Sequence, residues 1–425
     1  MMSRLLLCVL ILLLPNVALA VDFAVVQQAS RTTTGTQDFT SSGFGTPKAV
    51  FCYVGGGAAN GTQVDHALLG TGASDGTRHW SSSTRSQDAV TTTLAGRRSA
   101  TADMLLMADD TGTVIIRAQY SAWITDGVRI NYSVAPGTAR LVTCVLFGGT
   151  GVSNAYVGTV TTPGVINTGT TVTAPGFQPD LVIGVVSGNS SFDNTNAAQS
   201  TMSVGFVTRG AGNPHPQSAI SYLDVNAVGT VDQRARVDTD MTGADRNGTQ
   251  SIEIQDFTST GFTAMERDTV GARTLGYLAI QLNGLTATEV TITTPTSTGS
   301  NSITGLTGKP QFGLLVLSST TSTDATSADG NAESFGVCAI TVAAQSCSSI
   351  TNDDGVTTTN SDSVTHNRPI FLRKDGATFL DATFTSFDSG QMTVNYGTVN
   401  ASGRKLIGLF ISEAGSSFGP LKRRF

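Results

Sequence analysis

The sequence predicts an all-β protein of three tandem β-sandwich, jelly-roll-like domains, and three observations predict it. First, markers recur with a period close to 132 residues. Arg140, Arg273 and Arg404 each open an apolar strand (RLVTCVLF, RTLGYLAIQL, RKLIGLFI), at spacings of 133 and 131 (273−140 and 404−273). Pro47, Pro179 and Pro310 each precede another (KAVFCYV, DLVIGVV, QFGLLVL), at spacings of 132 and 131 (179−47 and 310−179). Pro163 and Pro295 also stand 132 apart (295−163). A period this long is a whole domain rather than a solenoid unit. Second, short apolar runs alternate with Gly, Asn and Asp turns, the rhythm of a sandwich. Third, helical periodicity is missing: the best stretch, Thr101 to Met107, is short and has no counterpart in the other copies.

The elements follow in order. Residues 1–20 read as a cleaved secretory signal. Arg4 gives a basic start, Leu5 to Leu14 is apolar, Pro15-Asn16 breaks the run, and Ala18-Leu19-Ala20 supplies the small residues before cleavage. The three repeats then occupy 21–150, 151–284 and 285–415, with a tail at 416–425. Each begins with a lead-in strand: DFAVVQQ from Asp22, AYVGTVTTP from Ala155, ATEVTITTP from Ala287. The marker proline and an opening strand follow; the strand's lack of alternation predicts burial on both faces. A Gly-centred strand comes next (LLGTG, MSVGFV, SFGVCAI), then a turn at Asp75-Gly76, Gly210-Ala211 and Thr341-Val342. Further turns fall at Asp109 to Gly112, Asp245 to Gly248 and Lys374 to Gly376, where Gly, Asn and Asp supply tight hairpin geometry. Aromatic-bearing strands (IRAQYSAW, IEIQDFTSTGF, LDATFTSF) lead to the Arg-headed closing strand. This gives seven or eight strands per copy, and the short polar junctions suggest units strung in a row.

Laying the copies over one another yields a pairing. Five residues after the marker proline stand Cys52, Gly184 and Leu315; four after the marker arginine stand Cys144, Tyr277 and Gly408. Where one member is large, the other is glycine, as facing positions in a packed core require. Opening and closing strands therefore touch, and Cys52–Cys144 is expected to be a disulfide. Cys338 and Cys347 flank the turn equivalent to Asp75-Gly76, so a disulfide across one hairpin is expected there, with a metal site as the rival. Of the five cysteines Cys8 would leave with the signal, and the even count of four that remains fits an exported chain.

Charged residues are only 13% of the chain and the formal net charge is −6, with no basic stripe. Nucleic acid is thereby an unfavoured partner. Ser, Thr and Gly are expected to cover the surface in place of lysine. Nothing beyond the signal is long and apolar enough to span a membrane, and the ending SSFGPLKRRF does not alternate as a lipid-facing barrel strand would.

The four histidines (His66, His79, His215, His366) sit in no hydrolase signature, and no G-x-S-x-G elbow precedes a helix. Asp109-Asp110 and Asp353-Asp354-Gly355 read as hairpin turns rather than Ca²⁺ loops, and Gly55-Gly56-Gly57 lacks the lysine and helix of a phosphate cradle. No catalytic residue, cofactor or metal is assigned. His79-Trp80 stands out as a ligand-contact candidate: tryptophan is rare here, and an aromatic on a loop between strands suits sugar stacking or partner contact, with local loop packing of Trp80 as the alternative. Trp123 is assigned to the core.

The order of a Gly-Phe-containing segment before an apolar strand (FTSSGFGTP from Phe39, APGFQPDLVIG from Ala174), a Gly-centred strand and an F-T-S strand resembles tandem β-sandwich repeats of phage virion and tail-fibre-like proteins. The third copy, LTGKPQFGLLVL, lacks the Gly-Phe pair. The resemblance implies a structural or receptor-contacting role, and the signal peptide shifts the setting toward a bacterial surface protein. The expected function is thus a secreted, non-enzymatic structural or adhesive role at the cell surface. Its partners would be a glycan, another surface molecule, or a second copy of itself. The location is extracellular or at the surface, with the periplasm next; the alternatives are a virion component and an enzyme acting on polysaccharide.

Overall fold

Apolar runs without alternation become the innermost strands. In a computed structural model, Ala49–Gly55, Leu181–Val186 and Pro310–Ser318 are each flanked by a strand on both sides and are buried almost throughout. The structure describes residues 21–188, 191–193, 197–212, 215–227, 234–240, 242–244, 251–267, 272–325, 333–353, 358–374 and 376–414. All of its ladders are antiparallel strand pairs, and the described residues contain no helix.

The strands form six sheets in three pairs. The first large sheet runs through Phe23–Ala29, Leu141–Phe147, Ala49–Gly55, Ala67–Ser74, His79–Ser86 and Ala95–Ala100, and ends on Ala197–Ala198 of the second segment. Its small partner runs through Gly35–Thr40, Gly127–Val134, Val114–Ile124 and Leu105–Ala108. The same order recurs from Val152–Thr161 to Arg234–Asp238 and from Leu285–Thr293 to Asn360–His366, each with its own four-stranded sheet. Among the described residues the three segments hold eleven, eleven and ten strands in place of the seven or eight expected. The surplus arises because the Ser-rich runs beyond each hairpin are strands and not loops. A core fills the space between the two sheets of each pair: around Phe39 and Leu146 in the first, Phe262 and Tyr277 in the second, Leu315 and Phe410 in the third.

The marker residues pin the sheet edges. The backbone N–H groups of Arg140, Arg273 and Arg404 donate to Ser30 Oγ, Thr162 Oγ1 and Thr294 Oγ1 at 3.0, 3.1 and 2.9 Å. The N–H groups of Ser30, Thr162 and Thr294 return the bond to the arginine carbonyls at 2.7, 2.9 and 2.9 Å. The Arg404 guanidinium then reaches Ser319 O at 2.6 Å, and that of Arg140 reaches Gly56 O, tying the closing strand to the end of the opening strand.

The facing pairs are direct register partners: Cys52 with Cys144, Gly184 with Tyr277, Leu315 with Gly408. A Cβ on Gly408 would come within 2.9 Å of Leu315 Cδ2, the crowding the pairing implied. The second pair works differently. The Tyr277 ring lies over Gly158, where a Cβ would meet its hydroxyl at 2.5 Å, while the space at Gly184 is taken by Thr242 and Leu275.

The segments are not strung in a row. The inner faces of all three large sheets share one apolar core, with Phe51 and Tyr53 from the first, Ile183 and Tyr222 from the second, and Leu314 and Phe335 from the third. The seams close head to tail. Trp80 Nε1 donates to Tyr277 O at 3.0 Å, from first to second. Ser218 Oγ donates to Glu289, from second to third. Tyr53 OH donates to Ser346 O at 2.8 Å, joining first and third. Loops are lent in the opposite sense: Ala197–Ala198 pairs with Gly96 and Arg97, Gln63–Asp65 pairs with Asp362–Val364, and Asp324 N–H donates to Val237 O at 2.7 Å. Ser86, Asp224 and Asn352, each near the end of the strand after the hairpin, meet where the three segments converge, both neighbours donating to the Asp224 carboxylate.

This ring corrects the surface expectation for serine and threonine. In the strand HWSSSTRS, Ser81 to Thr84 are at most 1% exposed. Small hydroxyl side chains let sheets approach closely at the seams, and several find partners across them, as Thr84 does with Ser200.

Candidate functional site

The two expected disulfides form, Cys52–Cys144 and Cys338–Cys347. Cys338 and Cys347 stand directly opposite on the two arms of their hairpin. Among the described residues no group of three or more His, Cys, Asp or Glu side chains is placed to hold a metal ion.

His79-Trp80 does not lie on the loop expected. Both lie on the strand His79–Ser86, so their side chains point to opposite faces. Trp80 is fully buried. Its indole lies over Gly276, where a Cβ would sit 2.7 Å away, and against Phe51 at 6.3 Å between centroids. It is a key between two segments, with no face left for a sugar. The strand is Ser-rich, which made the tryptophan look like a loop residue. His79 is partly buried on the other face: its Nδ1 lies 2.8 Å from Ser74 Oγ, and its ring stacks on Tyr120 at 5.9 Å. Desolvation holds its pKa below the ordinary histidine value, with the Asp75 carboxylate pulling weakly the other way. Trp123, assigned to the core, is half-buried at its margin, with its indole nitrogen over Gly76. Asp109 closes a turn through Thr111 and Thr113 N–H groups, as a hairpin aspartate should. Asp354 and Gly355 lie outside the described residues.

The concavity that stands out is on the seam between the first and third segments, and it arises from a difference between equivalent turns. Two turns join directly paired strand ends: Asp75 to Arg78 between Ser74 and His79, and Thr341 to Ala344 between Ile340 and Gln345. The first is planted on the second segment. Asp75 Oδ2 accepts the Val157 N–H at 3.0 Å, and the Arg78 guanidinium sits 3.8 Å above the Tyr156 ring. The second turn has Val342, Ala343 and Ala344 where the first has Gly76, Thr77 and Arg78. Val342 is 67% exposed, and the seam stays open.

The result is a groove of about 780 Å³ between Val21, Phe23 and Val25 on one bank and Val342, Ala343 and Ala344 on the other. It continues into a hollow of about 520 Å³ along Val25 to Gln28, where Thr40, Asn60 and Asn367 offer polar groups. Asp22, Lys309 and Glu413 ring its outer end. Asp22 Oδ1 accepts the Gly151 N–H at 2.8 Å, and Glu413 accepts from Gln311 Nε2 at 3.3 Å. Sequence reasoning missed this groove, although the signal was present: the third copy has Thr-Val-Ala-Ala where the first has Asp-Gly-Thr-Arg, an apolar turn with no residue to reach the neighbouring strand.

No helix among the described residues is long and apolar enough to cross a membrane. No protein-family model matches the chain, and no curated protein matches it.

Proposed function

We propose that the chain is a secreted, non-enzymatic protein of three β-sandwich domains (21–150, 151–284 and 285–415) with a structural or adhesive role at the cell surface. The observation that carries this reading is the closed ring. Enzymes built from several domains commonly place their chemistry in the space between them. Here that space is filled by Phe51, Tyr53, Ile183, Tyr222, Leu314 and Phe335, which leaves the contact surfaces outside. The disulfides support export, since such bonds persist in oxidising compartments. The outer small sheets offer hydroxyl and amide groups, such as Ser302 paired with Thr393 and Ser300 paired with Asn395, to a glycan or another surface molecule.

Cell fractionation combined with non-reducing peptide mapping tests the reading. The expected result is protein outside the cytoplasm with both disulfides formed; cytoplasmic protein with free thiols would sink it. A blank glycan array would remove the sugar while leaving the surface role. A second reading, a virion or tail-fibre component, is favoured by the threefold recurrence of one sheet pair about one core, because such a body imitates a closed trimer. Electron microscopy showing the protein on particles would favour that reading.

A further inference from the structure

The strand Phe23–Ala29 has a ladder neighbour on one side only. Asp22 O accepts from Gly148 N–H at 3.0 Å, and Ser30 N–H donates to Arg140 O at 2.7 Å. Even-numbered positions therefore face the closing strand. Strand alternation turns the N–H and C=O groups of Phe23, Val25 and Gln27 the other way, along the groove. The second segment confirms the direction. Val157 stands five residues before Thr162 as Val25 stands five before Ser30, and its N–H points outward to the Asp75 carboxylate. On the first segment the equivalent turn brings Thr341 to Ala344, and no described residue accepts from Val25 N–H.

Open edges are normally blunted by charge, proline or a bulge. FAVVQQA has none of these, and its register with the closing strand is unbroken. With Phe23 2% and Val25 6% exposed, this edge is recessed along the apolar-walled groove, and an unpaired edge beside such a groove is the arrangement by which an extended peptide docks as an added strand.

We propose that this groove takes an extended segment of a partner protein by strand addition to Phe23–Ala29. This names the partner class of the surface-contact reading above and rests on it. Backbone groups of Phe23, Val25 and Gln27 bind the incoming strand. Val342 to Ala344 select small apolar side chains at alternate positions, and Asn60 and Asn367 suit a polar residue at the far end. Asp22 and Glu413, against the single Lys309, favour a cation at the near end. The groove continues an interface the protein already makes between its first and third segments. The chain's own residues 415–425 (GSSFGPLKRRF) are a poor occupant, because Gly419-Pro420 interrupts any added strand.

The test pans a displayed library of random decapeptides against the full mature chain and reads backbone exchange at residues 23–29. In the free chain the Val25 and Gln27 amides should exchange much faster than those of Ala24 and Val26, and a selected peptide should slow them. Val25→Pro removes the outward N–H together with a side chain of the shared core, whereas Ala343→Arg fills the groove from an exposed turn and leaves that core intact. Each should weaken the selected peptides about tenfold or more, the equivalent of one backbone hydrogen bond or a steric block. The proposal is overturned by any of three results. The Val25 and Gln27 amides are already as slow as their neighbours in the free chain. No peptide is selected, or those selected bind both variants as tightly as the parent. Truncation after Ala414 speeds exchange at Val25, which would make the tail the occupant. None of these bears on fractionation, so failure here and failure of the surface reading are separate results.

Discussion

Glu289 offers the sharpest test of how the ring is held. It occupies the ladder position taken by Val25 in the first segment and Val157 in the second, which are 6% and 0% exposed. At the seam it has one side-chain partner, the Ser218 hydroxyl, and desolvation raises its pKa from 4.5 to about 7. A carboxyl whose folded pKa lies above its unfolded value binds its proton more tightly when folded. Its ionisation therefore costs nothing below the unfolded value near 4.5, costs progressively more up to pH 7, and reaches its full cost above that. The shift corresponds to about 3 kcal/mol. Glu289→Gln keeps the shape and an acceptor for Ser218 but cannot ionise. Urea unfolding of both proteins between pH 4 and 8, with disulfides intact, should give coincident stabilities near pH 4. The variant should be more stable by about 3 kcal/mol at pH 8. Parallel curves, offset equally at every pH, would refute the reasoning.

Three further outcomes are expected. Trp80→Ser, which installs the residue found at the equivalent positions Ser218 and Ser346, should cost about 3–5 kcal/mol in thermal or chemical unfolding; unchanged stability would remove Trp80 as a key between segments. Removing Cys52–Cys144, which closes 92 residues, should cost about 4.5 kcal/mol, and removing Cys338–Cys347, which closes 9, about 2.5 kcal/mol; paired Cys→Ala variants compared by denaturant midpoint should show that order and not the reverse. Gly408→Ala should cost about 1–3 kcal/mol by overpacking against Leu315 and Phe410. Its cost should shrink in a Leu315→Ala background, and strict additivity in the double-mutant cycle would count against the contact.

What the sequence disclosed depended on whether a constraint lay within one copy or between copies. The partners Cys52–Cys144 and Leu315–Gly408 were legible because two adjacent strands share a fixed volume, so a large residue on one forces a small one opposite. The turns were legible because Gly76, Gly112 and Gly376 adopt positive φ, where a side chain is strained. The seams were not legible. Ser81 to Thr84 follow the composition of a surface, and only the approach of a second sheet turns small hydroxyl residues into interior ones. Trp80 misled for the same reason: its rarity was read as a sign of a ligand, whereas its partner is the backbone of Tyr277 in the same chain.

The comparison among copies nevertheless pointed to the right places for a reason that only the ring supplies. In a closed trimer of identical chains the three head-to-tail interfaces are the same by symmetry. Joining the copies in one chain releases that restraint, and each seam can take its own chemistry. Here the first carries an indole key, Trp80, the second a titrating carboxyl, Glu289, and the third a hydroxyl contact at Ser346 beside an open strand edge. The first two seams join segments consecutive in sequence, through junctions as short as the turn at Asn283-Gly284. The third joins the first segment to the last, with no direct chain connection across it. It is held by contacts such as Tyr53 with Ser346 and Gln63–Asp65 with Asp362–Val364. It is therefore the seam whose opening breaks no short covalent tether, and the one where an added strand bound along Phe23–Ala29 would bridge both sides at once.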